Sequence, residues 1–313
     1  VTNNQNPQIN KPIDTKESPL NSFLSKTKNF ISKFVDIFKQ DKLAIIGLIV
    51  FICFVGVAIF APMIAPYDEM ERHRDENGEL RRTDSPSSEH LFGTTNRGRD
   101  VFSQVIMGSR VALFVGALAA LFVTFIGTNI GLISGYFGGF LDNLFMRIVD
   151  ISYAIPFIPF VIILVTLLEP SLFNIVLAIT ILSWRTIARI IRAQVLSVKE
   201  RPYVKAARVA GASNLRIIFL YILPNVLPLA LLEMSLRMAQ AIIAEASVSF
   251  LGFGDPTVIS WGQILQRAFM AGAMRDAWWW VIPPGIAISL LIVAVFFTSR
   301  ALEIIANPQL RRR

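Results

Sequence analysis

The 313 residues are 54% hydrophobic and only 17% charged, with a net charge of +8 and a mean hydropathy of +0.56. That balance excludes an ordinary soluble domain. Several apolar runs of about 20 residues point to a polytopic, all-α membrane protein. The positive charge then reports topology, and nucleic acid is not an expected partner. Cys53 is the only cysteine and falls inside an apolar run, so no intramolecular disulfide can form and a small core residue is expected.

Residues 1–42 predict a cytoplasmic tail. Its first part, rich in Asn, Gln, Pro and Lys, lacks the apolar content to fold. From Asn21 to Lys39, Phe23, Phe30, Phe34 and Phe38 recur among lysines and predict an amphipathic helix in the lipid interface. No cleavable signal peptide is expected ahead of the first span, residues 43–65. An external loop follows over 66–110, with an acidic stretch, Arg72 to Glu89, read as a solvated, mobile insertion. His73 and His90, the only histidines, lie in it without a carboxylate or thiolate at helical metal spacing, so no metal site is expected.

A five-helix core is predicted over 111–303. Its first helix, about Val111 to Ile133, leads into Gly127, Gly131 and Gly135, whose four-residue spacing allows close helix approach. Asp142, Arg147 and Asp150 mark a short polar connection. The next span, about Ile151 to Leu168, is expected to be kinked by Pro156 and Pro159. Spans about Leu172–Ile190, Asn225–Val248 and Val281–Phe297 complete six. Trp278, Trp279 and Trp280 fall where an outer interfacial anchor belongs, and residues 304–313 form a basic tail. Lysine and arginine concentrate in the N-terminal tail, the 199–224 loop and the C-terminus, which puts both termini and that loop on the cytoplasmic side.

The 199–224 loop is basic, with Arg201, Lys205, Arg208 and Arg216. Pro202 suits a first helical turn, and Tyr203, Ala206, Ala207 and Ala210 form one small-residue face. Gly211 reads as a helix stop, Ser213 as a new N-cap, and Pro224 as the end of a second short helix. Such a face lets a partner approach the backbone closely; a merely solvated basic loop is the plainer alternative. Glu233, Arg237 and Gln240 share a face of the fifth span, with Glu245 farther along. Charges at that depth cost several kcal/mol unless paired or facing a wet cavity. They either line a pathway or subunit interface, or form an internal Glu233–Arg237 pair that holds the bundle. No phosphate loop, zinc helix or nucleophile elbow is present, so no catalytic, cofactor or metal residue is assigned.

Lys205-Ala206-Ala207, Gly211 and Ile222-Leu223-Pro224 resemble the cytoplasmic loop signature of permease subunits of ATP-binding-cassette importers, which reads Glu-Ala-Ala, Gly, then Ile-Leu-Pro. Phe92-Gly93-Thr94 with Gly98-Arg99-Asp100-Val101-Phe102-Ser103 is similar to the external segment before the second span of dipeptide and oligopeptide permeases. Glu245 to Gly254 is similar to their segment after the fifth span, and Asn307-Pro308 fits their basic tail. From about Asp41 to the end the chain resembles a C-type permease of the peptide/nickel uptake group. Lys205 stands where that family has Glu, and Thr95 where it has Asp. The resemblance implies a non-enzymatic pore subunit in the cell membrane that moves short peptides. It implies a second homologous permease, two cytoplasmic ATP-binding subunits carrying ATP and Mg, and an extracellular or periplasmic binding protein. Arg201, Tyr203, Lys205, Ala206, Ala207, Arg208, Ala210, Gly211, Ser213 and Pro224 become the ATPase-coupling residues. Nickel or another small solute is the alternative cargo. An ATP-independent secondary transporter is the alternative class, but it needs paired half-repeats with broken helices that the sequence does not display.

Overall fold

A computed structural model describes residues 41–306 of the chain. The interfacial helix read over 21–39 and the tail from residue 307 lie outside the described residues. Helix α1, Lys42–Ile64, starts on Asp41, whose carboxylate accepts from the backbone N–H groups of Leu43 and Ala44. It packs against only part of the bundle, so Ile46, Ile49, Ile52 and Ile59 stay more than half exposed. Cys53 is also exposed, not a core residue, because it sits on the uncovered side of this helix.

Helix α2, Val101–Phe137, is 37 residues long and the most buried of the spans. It starts well before the expected Val111 because Asp100 caps it, accepting from the Ser103 N–H. The glycine ladder at its far end works as the spacing predicts. A Cβ at Gly127, Gly131 or Gly135 would sit 2.7 to 2.8 Å from atoms of Ile187, Ala188, Ile191 or Val195. Those residues belong to α5, Leu172–Val198. Backbone contact at that range gives the two long helices their seam.

The third crossing differs from expectation. The stretch read as a polar connection is helix α3, Gly139–Tyr153, and after a 92° bend comes α4, Phe157–Leu168. Asp142 and Asp150 do not require a loop, because they reach arginines of α5: Arg192 Nη2 donates to Asp142 at 2.6 Å and Arg189 Nη2 to Asp150 at 2.6 Å. Pro156 precedes α4 and supplies no N–H, so the ladder breaks at the elbow rather than kinking.

Helix α6, Pro202–Val209, follows α5, and α7 runs from Asn214 to Phe250 without interruption. The expected second short helix ending at Pro224 is therefore the first turns of α7. Residues Ile217–Ile222 form a π-turn, with Leu223 N–H bonding to the Ile218 carbonyl five residues back. That wider turn accommodates Pro224, which lacks an N–H and whose ring would crowd the preceding turn. A short helix α8, Trp261–Met270, and the last span α9, Trp278–Ala306, complete the bundle. Of the tryptophan triplet only Trp278 is exposed. Trp279 and Trp280 are buried in a core with Val101, Ile259 and Trp261, so two of the three serve as packing and not as an interfacial anchor. Among the described residues, five helices are long and apolar enough to cross a membrane, and α3–α4 as one bent crossing makes six.

Candidate functional site

At one end of the bundle α6 stands away from the spans. Arg201 precedes it, Pro202 opens it, and Val204 is its single buried residue. Val204 sits in a core with Tyr136, Val195, Val198, Ile217 and Ile222, and is the one buried side chain by which α6 joins α2, α5 and α7. The opposite face is open: Tyr203, Ala206 and Ala210 are exposed and Ala207 is half-buried. Gly211 closes the helix at φ 80°, a left-handed conformation that costs other residues energy. Ser213 caps the next helix by accepting from Arg216 N–H. The joint is held from the sides. Tyr136 donates to Asn214 at 2.8 Å, and the Lys199 ammonium donates to the Gly135 carbonyl at 2.8 Å. Arg208 lies 5.8 Å above the Tyr136 ring. Lys205 pairs with Glu200 at 2.9 Å, and that hydrogen bond and its charge hold the Glu200 carboxyl below its usual range. Pro224 is exposed in the first turns of α7.

Within the bundle, Glu233, Arg237 and Gln240 come together as their spacing predicts. Arg237 Nη2 donates to Glu233 at 3.1 Å and its Nη1 donates to Gln240. Glu245 is apart. It is 2% exposed and accepts from Ser249 at 2.6 Å, with Ser260 as its other hydroxyl partner, so it joins the end of α7 to the cap of α8. Arg237 and Gln240 line a cavity of about 310 Å³ between α2, α4, α5 and α7. Its other polar lining is Ser183, Arg185, Thr186 and Ser247.

The sequence reading missed Arg185 and its neighbours. Arg185 counts there only as a topology marker, yet it projects from the middle of α5. It donates to the Ser152 carbonyl, which also accepts from the Ile155 N–H at the elbow, and lies 4.6 Å over the Tyr153 ring. Arg189 covers the same ring at 4.7 Å, and the Tyr153 hydroxyl meets Thr186 at 3.1 Å. The elbow is thereby pinned to α5. Arginine at 185, 189 and 192 follows helical spacing, the one sequence signal that could have revealed this strip.

At the other end, residues 66–100 fold as a cap. Backbone bonds tie His73 to Gly98, Thr83 to Thr95 and Thr94 to Asp84, so the acidic stretch is built into the structure and not a loose insertion. The His90 ring meets Asp100 at 2.9 Å with both groups buried, and the His73 ring lies 4.8 Å from that of His90. Burial and the neighbouring His90 push the His73 pKa down. No group of three His, Cys, Asp or Glu residues among those described could hold a metal ion.

Among the described residues, five helices able to cross a membrane and a bent sixth, with a small-faced helix hung between two of them, define a multi-pass membrane protein. Residues 127–304 match the profile of binding-protein-dependent transport system inner membrane components, and residues 29–81 that of the N-terminal domain of oligopeptide transport permease C. The chain belongs to the first of these families, as its relatives also show. The dipeptide transport system permease protein of Haemophilus influenzae is 37% identical over 95% of this chain and 99% of its own length. The corresponding protein of Bacillus subtilis is 36% identical over 88% of this chain and 84% of its own. The oligopeptide transport system permease protein OppC of Bacillus subtilis is 41% identical over 75% of each.

Proposed function

We propose that this chain is one of two homologous permease subunits of an ATP-driven importer of short peptides, with both termini and α6 on the cytoplasmic side. Two ATP-binding subunits, which carry the ATP and Mg, dock on the α6 loops, and a binding protein delivers peptide to the capped face. The observation that carries this reading is α6 itself. It exposes its small-residue face and buries one side chain into the joint of α2, α5 and α7. A partner that grips Tyr203, Ala206, Ala207 and Ala210, with Arg201, Lys205 and Arg208 at the edges, moves α5 and α7 together. Arg237 and Gln240 lie on α7 and Arg185 on α5, so that motion reshapes the cavity between them. Lys205, neutralised by Glu200, presents a pair and not a bare reversed charge at this contact.

Peptide cargo is supported by relatives named for dipeptide and oligopeptide transport. The intramembrane cavity offers no histidine or thiolate, which suits peptide better than nickel. A secondary transporter built from repeats needs two broken helices, and the described residues contain one bent pair. Affinity capture from native membranes tests the reading, with the wild-type chain against Gly211→Pro. Proline cannot adopt φ 80° and removes the Gly211 N–H that bonds to Arg208. Wild type should retain a second permease and two ATP-binding subunits, while the variant loses only the latter. Capture of the chain alone or as a homodimer overturns the proposal.

A further inference from the structure

We propose that the α2–α4–α5–α7 cavity is a carboxylate site, in which Arg185 binds the free C-terminal carboxylate of the peptide in transit. The inference rests on the importer reading above and deepens it to a substrate feature.

The argument starts from charge accounting along α5. Three arginines descend this helix, at 185, 189 and 192. Arg189 is paired with Asp150 and Arg192 with Asp142. Arg185 has no carboxylate within 4.0 Å among the described residues; its protein partners are the Ser152 carbonyl and the Tyr153 ring. The other cation of the cavity, Arg237, is already balanced by Glu233. The cavity thus holds one uncompensated positive charge within the spans, where a lone ion is costly. An anion that enters relieves that cost.

The chemistry of the lining selects the anion. A guanidinium carries five N–H donors in a planar fork that matches a carboxylate in two parallel bonds. One donor of Arg185 is used on Ser152, which fixes the group without exhausting it. Gln240, with its carbonyl turned to Arg237, leaves its amide N–H₂ for an acceptor. Phe157 and Ile158 of α4 supply an apolar wall. At about 310 Å³ the space lies at the small end of ligand cavities, suited to the terminal residues of a short peptide and not to a folded chain.

The test compares uptake of labelled tri-alanine and its C-terminal amide by cells that carry the complete importer. Any preference of the binding protein is the same in every strain and cancels. Wild type should favour the free acid. Arg185→Gln, which retains a donor for Ser152, should lower the acid-to-amide uptake ratio about tenfold, while Arg185→Lys, which keeps the charge but loses the planar fork, should fall between it and wild type. Gln240→Glu gives the cavity its own carboxylate and should lower the ratio without touching Arg185. Membrane levels of each variant are measured by immunoblot, and Gln240→Glu decides the matter if Arg185→Gln does not accumulate. An unchanged ratio overturns the proposal, and is the result expected if an acidic residue of the second permease pairs with Arg185 instead. Wild-type cells that take up neither peptide would remove the importer reading itself.

Discussion

The two ends of the bundle are built on opposite plans. The cap over residues 66–100 is closed on itself. Its backbone groups bond across the loop, Asp100 serves both His90 and the start of α2, and Trp279 lies under Gly93. The 199–216 joint is fastened from a few points and turns its small residues outward. A region that pairs its own backbone groups is ordered from within, whereas a helix that buries one valine and exposes its alanines leaves a surface that the proposed ATP-binding partner would cover. Under the proposed function, the contrast separates a scaffold from a contact surface within one polypeptide.

The comparison breaks most sharply at Asp100. Asp100→Ala removes the cap of α2 and leaves the buried His90 ring without its acceptor. Together these should cost about 3 kcal/mol. Hydrogen exchange in detergent should show protection over 66–100 falling about a hundredfold, with 199–216 unchanged. A matched pair of glycines sharpens it further. Gly93 and Gly211 both have positive φ, of 61° and 80°. A Cβ on Gly93 would lie 2.3 Å from the Asp84 carbonyl, whereas one on Gly211 meets nothing within 4 Å. Gly93→Ala should therefore lower stability by about 2 kcal/mol or more, and Gly211→Ala by only about 1 kcal/mol of backbone strain. Thermal denaturation of the two purified variants ranks them.

The smallest effect is on pH. His73 has a depressed pKa in the folded cap, so the unfolded cap binds more protons just below the usual histidine value of about 6.5. Stability of the cap is then full above that value and declines as pH falls through it towards the folded pKa. Glu71, Asp100, Arg81 and His90 are the charges acting on this ring, and burial outweighs the two acids. Exchange over 66–100, corrected for intrinsic rates, should rise modestly between pH 7.5 and 5.5. His73→Gln should abolish that dependence.

The sequence was most legible where a local rule acts alone. Pro202 at a first turn, Gly211 at a stop, Ser213 as a cap and the Gly127–Gly131–Gly135 seam all stand as read. Glu233, Arg237 and Gln240 also meet, because i, i+4 and i+7 must share a helix face. It was least legible where distant residues cancel a local signal. The acids at 142 and 150 look like loop residues until arginines 39 and 50 positions later claim them. Arg185 looks like a membrane-flank charge until the elbow places Ser152 and Tyr153 beside it. The cap's order rests on pairs such as His73 with Gly98, which no periodicity within 72–89 announces. Glu245 shares a span with the cavity residues, yet the serines of the next turn and of α8 hold it elsewhere.

The π-turn at Ile217–Ile222 has a consequence for the phase of α7. One residue more than an α-turn needs is absorbed there, and everything beyond it is rotated by about 100° relative to a regular helix. The azimuth at which Arg237 and Gln240 meet the cavity is thus set some 15 residues upstream, beside α6. A chain shortened by a single residue in that turn would keep every side chain of the joint and of the cavity. It would nonetheless present the two sets out of step, as a screw thread cut with the wrong starting angle.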